Sequence, residues 1–392
     1  LVDMLWMELG WERWVHEALT AITGEEFTDG YGWSSWIAID RPPLPDGYVE
    51  WKGRLLSLVD ERFVDLLNDE LLLAVRPDEL IWARVAIDEQ SPLVEPETVH
   101  RLEERYLATT DVVYGVFLNG EARAYPERIL AWHEVAVDEV GGRPLLVTNC
   151  VSCGGTTVYE ATASDGVRYE FGNAGLVYRS RHLFYDAETN SLWDQLTGQA
   201  IAGEALVSGA SLTPIPVLRT TWGEWAGRHP NSTVLSLDTG AVRNYDPGAA
   251  LVEELSSEGP LFPAPAPTEA GVEPKEQILG LEIAGDSRAY SLAAIEAAGI
   301  THDTLGGQDI ALVSRGPGLG VSVYREHDIT FSYLQGNLDA LEVVDTNGDR
   351  WFLDEEAVTN VIDSSLRRSI PVRIAYWFAW ADAFPETSLW GS

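Results

Sequence analysis

The chain has only two cysteines in 392 residues, spaced as Cys150-Val-Ser-Cys153. Two cysteines cannot build a disulfide framework. A Cys-x-x-Cys pair serves as a metal knuckle, a redox dithiol or a packed structural pair. A register argument adds a histidine. Gly141-Gly142 reads as a two-residue hairpin loop, so Val140 faces Arg143 and the numbers of facing residues sum to 283. On that sum His133 faces Cys150. Directly opposed residues share a face, with Cβ atoms about 4.5–5.5 Å apart. Gly154 and Gly155 let the chain turn tightly behind Cys153, so that N–H groups can point at sulfur. His133, Cys150 and Cys153 then form a Cys2His set suited to Zn or Cu rather than Ca or Mg. Glu134, His182, Asp186 or an exogenous molecule would complete it. Taken alone, His182 reads as a packing or surface histidine, and Glu134 as a solvated or capping carboxylate. A bulge in the hairpin would turn His133 to the other face.

The elements that must hold these residues are short strands. Val112 to Leu118, Asn119-Gly120 and Glu121 to Tyr125 spell a hairpin, because Asn-Gly accepts the positive φ angles of a type I′ turn. Pro126 opens a short helix. Val135 to Val140 and Arg143 to Thr148 form the second hairpin. Further strands are expected at Arg168 to Phe171, Val177 to Tyr185 and Val234 to Leu237. Before Asp111 the chain reads as mostly helical. An amphipathic opening uses Leu5, Trp6, Leu9, Trp14 and Val15, and a second helical stretch runs from Leu55 to Leu73. Pro42, Pro43 and Pro45 break the chain between them.

The strand pattern occurs twice. Gly115-Val-Phe-Leu-Asn-Gly-Glu-Ala-Arg-Ala-Tyr125 returns as Gly280-Leu-Glu-Ile-Ala-Gly-Asp-Ser-Arg-Ala-Tyr290, 165 residues later. Asp138 matches Asp303, and Gly141-Gly142 matches Gly306-Gly307. Further on the offset falls to 155, where Trp222 and Trp225 match Trp377 and Trp380. The second copy has therefore lost about ten residues, as surface loops tolerate. Trp193 likewise returns as Trp351. The expected organisation is a helical leader over 1–110, a first repeat over 111–252, a Pro-rich connector over 253–276 and a degenerate second repeat over 277–392. The fold class is α+β, mainly β, with two related strand-rich domains. The offset converts His133, Glu134, Cys150 and Cys153 into Ala298, Gly299, Arg315 and Gly318. The candidate chemistry thus lies in the first repeat.

Composition narrows the function classes. The chain carries 62 acidic against 26 basic residues, a net charge of −36. That argues against nucleic acid, whose backbone needs clustered Lys and Arg. No apolar run is long enough for a membrane span. The chain opens on Leu1, and a leader is expected to have been removed.

The run Asn119-Gly-Glu-Ala-Arg-Ala-Tyr-Pro-Glu-Arg-Ile-Leu-Ala-Trp-His-Glu134 resembles the signature of the family catalogued as domain of unknown function 3179. Asn149-Cys-Val-Ser-Cys-Gly-Gly-Thr156 is similar to its Cys-Pro-Leu-Cys-Gly-Thr segment, with Val151-Ser152 in place of Pro-Leu. Ser191-Leu-Trp-Asp-Gln-Leu-Thr-Gly198 and Thr221-Trp-Gly-Glu-Trp225 extend the likeness, which covers roughly Trp82 to Trp390. At His182 the family carries an apolar residue, so the resemblance does not make His182 a ligand. It implies secreted or envelope-anchored bacterial and archaeal proteins and supplies no activity. The reading of the whole is an extracytoplasmic protein, periplasmic or on the cell surface, that binds Zn or Cu. One alternative is a thiol–disulfide redox protein using Cys150 and Cys153, with His133 lowering a thiol pKa. The other is a non-enzymatic accessory subunit of an envelope assembly, docking a protein partner through its Trp-rich N-terminal segment.

Overall fold

A computed structural model describes residues 1–265, 271–336 and 341–391. Strands dominate, and helices concentrate at the N-terminal end, giving an α+β, mainly β architecture. Both expected hairpins form. Val112–Leu118 pairs with Glu121–Pro126 across Asn119-Gly120, whose φ angles of 50° and 84° are those the turn requires. Val135–Val140 pairs with Arg143–Cys150 across Gly141-Gly142. A side chain at Gly141 would also strike the Leu118 carbonyl oxygen, 2.3 Å from the Cβ position. Gly306 meets the Ile283 carbonyl in the same way, at 2.2 Å.

The second half repeats the first, strand for strand. One sheet places Leu218–Thr221 beside the first hairpin and Thr233–Leu235 parallel to its other edge. Its counterpart places Arg373–Tyr376 and Ser388–Leu389 around the hairpin Gln277–Ile283/Asp286–Ser291. The fixed points are shared. Arg123 and Tyr125 both bond Asp138, as Arg288 and Tyr290 bond Asp303. The Trp225 ring lies on Gly115 and Trp380 lies on Gly280, where any Cβ would fall within about 2.2 Å of a ring carbon. Trp193 donates to Asp186, and Trp351 donates to Asp345. These tryptophans are core, as their recurrence in both copies implies.

The N-terminal part is helical as expected, and differs only in the lengths of its helices and in three short strands at its end. The opening splits into helices Val2–Trp6 and Glu12–Thr23, because Gly10 (φ 81°) breaks the run. The stretch expected from Leu55 to Leu73 holds the end of helix Tyr48–Leu56 and one turn, Phe63–Leu66. Three short strands follow, too short for periodicity to reveal. Leu80–Trp82, Leu93–Val94 and Thr98–His100 join three different sheets of the first repeat. The Pro-rich connector opens within a helix, Val252–Ser256, and residues 266–270 of it lie outside the described residues.

The two repeats interlock through reciprocal contacts. Gly155 packs against the backbone of Ile374, where a Cβ would sit 1.6 Å from the carbonyl oxygen. Gly320 packs against Arg219, whose carbonyl oxygen lies 2.9 Å from the Cβ position. Gly320 is Gly155 shifted by 165 residues, and Ile374 is Arg219 shifted by 155. Each copy thus presents its glycine turn to the other's strand. Tyr376 N–H donates to the Cys153 carbonyl at 2.7 Å on one side, and Thr220 Oγ1 donates to the Leu319 carbonyl at 3.0 Å on the other.

Candidate functional site

The cysteines stand at the end of Arg143–Cys150 and in the turn that follows it. Cys150 and Cys153 are joined as a disulfide. Both are buried, at 0% and 1% exposure, so no solvent path reaches the sulfurs in this state. Cys153 N–H donates to Cys150 Sγ at 3.2 Å, and the Ser152 hydroxyl lies 3.8 Å from the same sulfur. Gln195 Oε1 is 3.7 Å from Cys153 Sγ, while its amide group donates to Thr148 Oγ1. A cap closes over the pair. Ser152 donates to the Ser180 carbonyl, and Phe262 N–H donates to Ser180 Oγ. Arg179 and Ser180 form the tight turn of that cap with φ of 50° and 65°, values uncommon for residues with side chains. On the far side lie Ile278, Trp377, Ala379 and Trp380 of the second repeat.

His133 is not where the register sum puts it. The pairing holds as far as Val135↔Thr148 and then stops. Glu134 turns to φ 58° as the cap of helix Glu127–His133, so His133 is the last helical residue rather than a strand residue. Cys150 pairs on its other side, with Gly155. The His133 ring lies between the Ser91 carbonyl and the Tyr245 hydroxyl, at 2.6 Å from each. Burial, set against the hydrogen bond to Ser91, lowers its pKa. Asn173 binds the His133 carbonyl and fixes the helix end.

Two of the remaining candidates do meet. His182 Nδ1 contacts the Glu134 carboxylate, which is 2% exposed. Glu134 is tied to the cysteine strand through its carbonyl, which accepts from Asn149 N–H at 2.7 Å. Asp186 is spent elsewhere, on Trp193 Nε1 and on Thr189. Among the described residues no group of three or more His, Cys, Asp or Glu side chains could hold a metal ion. Neither the disulfide sulfurs nor the His133 nitrogens are free donors. The expected Cys2His arrangement thus does not fit a Zn or Cu ion in this state.

The sequence names Arg315 as the counterpart of Cys150, but not the ionic cluster that it joins. Arg315 is buried, and its Nη2 donates to Glu355 Oε1 at 3.0 Å. Arg228 reaches the same oxygen at 3.0 Å, and His229 Nε2 lies 2.8 Å from Glu355 Oε2. Burial alone would raise the Glu355 pKa. Arg228, the His229 bond and Arg315 outweigh it and hold the carboxyl at about 2. Burial and the neighbouring Arg228 lower the Arg315 pKa. The two equivalent faces between the repeats therefore carry different chemistry, a disulfide in apolar packing and a buried ionic cluster. The signal available in the sequence was the charge on Arg315 itself, which asks for a buried acid 40 residues away.

Fold and site define an internally duplicated, strand-rich α+β protein with a buried Cys-x-x-Cys disulfide between its repeats. The chain belongs to the family described as Protein of unknown function (DUF3179), whose model matches residues 90–387. No curated protein and no solved structure matches it. No helix among the described residues is long and apolar enough to cross a membrane.

Proposed function

We propose that the protein is an extracytoplasmic thiol–disulfide protein whose redox element is Cys150–Cys153. The observation that carries this is the comparison of the two glycine turns. Cys150 to Gly155 and Arg315 to Gly320 are the same length and close the same pairing, Cys150↔Gly155 and Arg315 N–H to the Gly320 carbonyl. The second turn forms without a cross-link, so the disulfide answers no need of the fold at that place. An attacking thiolate at Cys153 would form a mixed disulfide and release Cys150 as thiolate. The Cys153 N–H and the Ser152 hydroxyl stand ready to stabilise that charge. The cap at Arg179-Ser180 must open first. An oxidised pair fits an oxidising compartment, periplasm or cell surface.

Zn or Cu at Cys150, Cys153 and His133 would require reduction of the pair and release of His133 from Ser91 and Tyr245, which favours the redox reading. A role as accessory subunit is supported by one feature. Trp11, Trp14 and Ile22 are exposed in and before helix Glu12–Thr23, at spacings that share one face.

The double variant Cys150→Ala/Cys153→Ala separates redox element from brace. A loop this short gains little from closure, about 2 kcal/mol on the chain-entropy estimate. The variant is expected to keep its fold and lose no more than that in a denaturant titration, while all thiol reactivity disappears. A loss of about 4 kcal/mol or more, with no reactive thiol obtainable from the native parent, would make the pair a brace.

A further inference from the structure

A cavity of about 360 Å³ opens beside the ionic cluster, between the two repeats. Its size falls in the range of small-molecule sites, about 300–1,000 Å³. Phe117, Phe352 and His229 contribute rings to its lining, and Glu121 and Asp354 bring carboxylates. Arg228 also lines it, with Nη2 on the Leu353 carbonyl and Glu355; its Nε and Nη1 have no hydrogen-bond partner among the described residues but are buried away from solvent.

The duplication supplies an internal control for His229. Its counterpart 155 residues on is Phe384, stacked on Trp380 with ring centroids 4.1 Å apart. His229 lies on Trp225 at the same 4.1 Å. A phenyl ring therefore satisfies the packing, and the imidazole nitrogens answer some other need. Nε2 is committed to Glu355. Nδ1 has no hydrogen-bond partner among the described residues, in a ring that lines the cavity. The companions of His229 are also particular to this face, since Glu224 and Arg228 correspond to Ala379 and Ala383.

We infer that this cavity binds a small organic ammonium ion, with its apolar body between Phe117 and Phe352 and its N–H groups on Asp354 and His229 Nδ1. Aromatic faces attract cations. With the proton on Nε2, Nδ1 is an acceptor. Asp354 spends Oδ1 on the amides of Glu356 and Ala357. Its second oxygen has no such bond among the described residues. Burial pushes the Asp354 carboxyl up, and a cation would relieve that cost. An anion would meet two carboxylates on a chain of net charge −36. The site is separate from the disulfide, and neither proposal depends on the other.

The test is calorimetric titration of the full chain with phenethylamine and with n-hexylamine at neutral pH. Phenylacetate and 2-phenylethanol serve as matched anionic and neutral probes. At least one amine is expected to bind saturably at one site, with the matched anion silent and the alcohol about ten-fold weaker. His229→Phe, which installs the ring the second repeat already uses, and Asp354→Asn should each weaken binding about ten-fold. Phe352→Leu, at a half-exposed position, covers the case in which either variant misfolds, and should weaken binding as well. No saturable amine binding, equal binding of the alcohol, or affinities unmoved by every folded variant would overturn the inference.

Discussion

Replacing Glu355 by alanine is expected to cost about 3–5 kcal/mol, the range for removing one partner from a buried ion pair. Glu355 is 2% exposed and touches Arg228, Arg315 and His229. Without it Arg315 keeps only the Ser322 hydroxyl as a side-chain partner among the described residues. The loss is to be read from the midpoint of a urea titration. The pH dependence gives a second readout. The folded pKa of Glu355 is depressed from 4.5 to about 2, so its stabilisation is fully present above about 4.5 and disappears as pH falls through about 2. Glu355→Gln should therefore lose stability at neutral pH yet differ little from the parent in strong acid. A neutral-pH loss below about 1 kcal/mol for Glu355→Ala would show that the cluster is not holding the repeats together.

Gly155→Ala is expected to destabilise by about 3 kcal/mol, the upper end for overpacking a fitted site. The added carbon would lie 1.6 Å from the Ile374 carbonyl oxygen. That atom is backbone, so it cannot rotate aside, and the two repeats must separate. The same change should speed reduction of the adjacent disulfide, because the turn carrying Cys153 is held down by Tyr376. Gly142→Ala is the control. Its φ is 73° but it faces open space, so only the backbone penalty of about 1–2 kcal/mol applies. Equal losses for the two variants would mean that the glycine turn does not set the docking.

The strand scaffold was legible because its cues are local. Asn119-Gly120 and Gly141-Gly142 dictate their turns whatever surrounds them. The Arg-x-Tyr…Asp set recurs because Arg123, Tyr125 and Asp138 hold neighbouring strands together in each copy. The site was less legible because it depends on where a strand ends. The register sum is valid only within an unbroken ladder, and Glu134 leaves the ladder one residue short of His133, into a helix cap. Glu134 and His182 were named only as alternative fourth ligands and not as partners of each other, since their contact depends on how Phe171–Tyr178 folds across. The His229–Glu355 pair spans 126 residues and both repeats. No local spacing announces such a contact. What did carry over was the comparison of the copies, because each position that differs between them marks a choice packing did not make.

The most direct test of the account is the reduction potential of Cys150–Cys153 in the native chain. Protein is equilibrated in glutathione buffers of graded ratio, quenched by alkylation and weighed by mass spectrometry, with near-UV circular dichroism on the same samples. The account predicts one reversible two-electron transition above about −300 mV, the region of labile rather than structural disulfides. It also predicts an unchanged tertiary spectrum throughout and slow exchange, because the cap must open. A pair that stays oxidised below that potential, or that reduces only as the tertiary spectrum collapses, would contradict it.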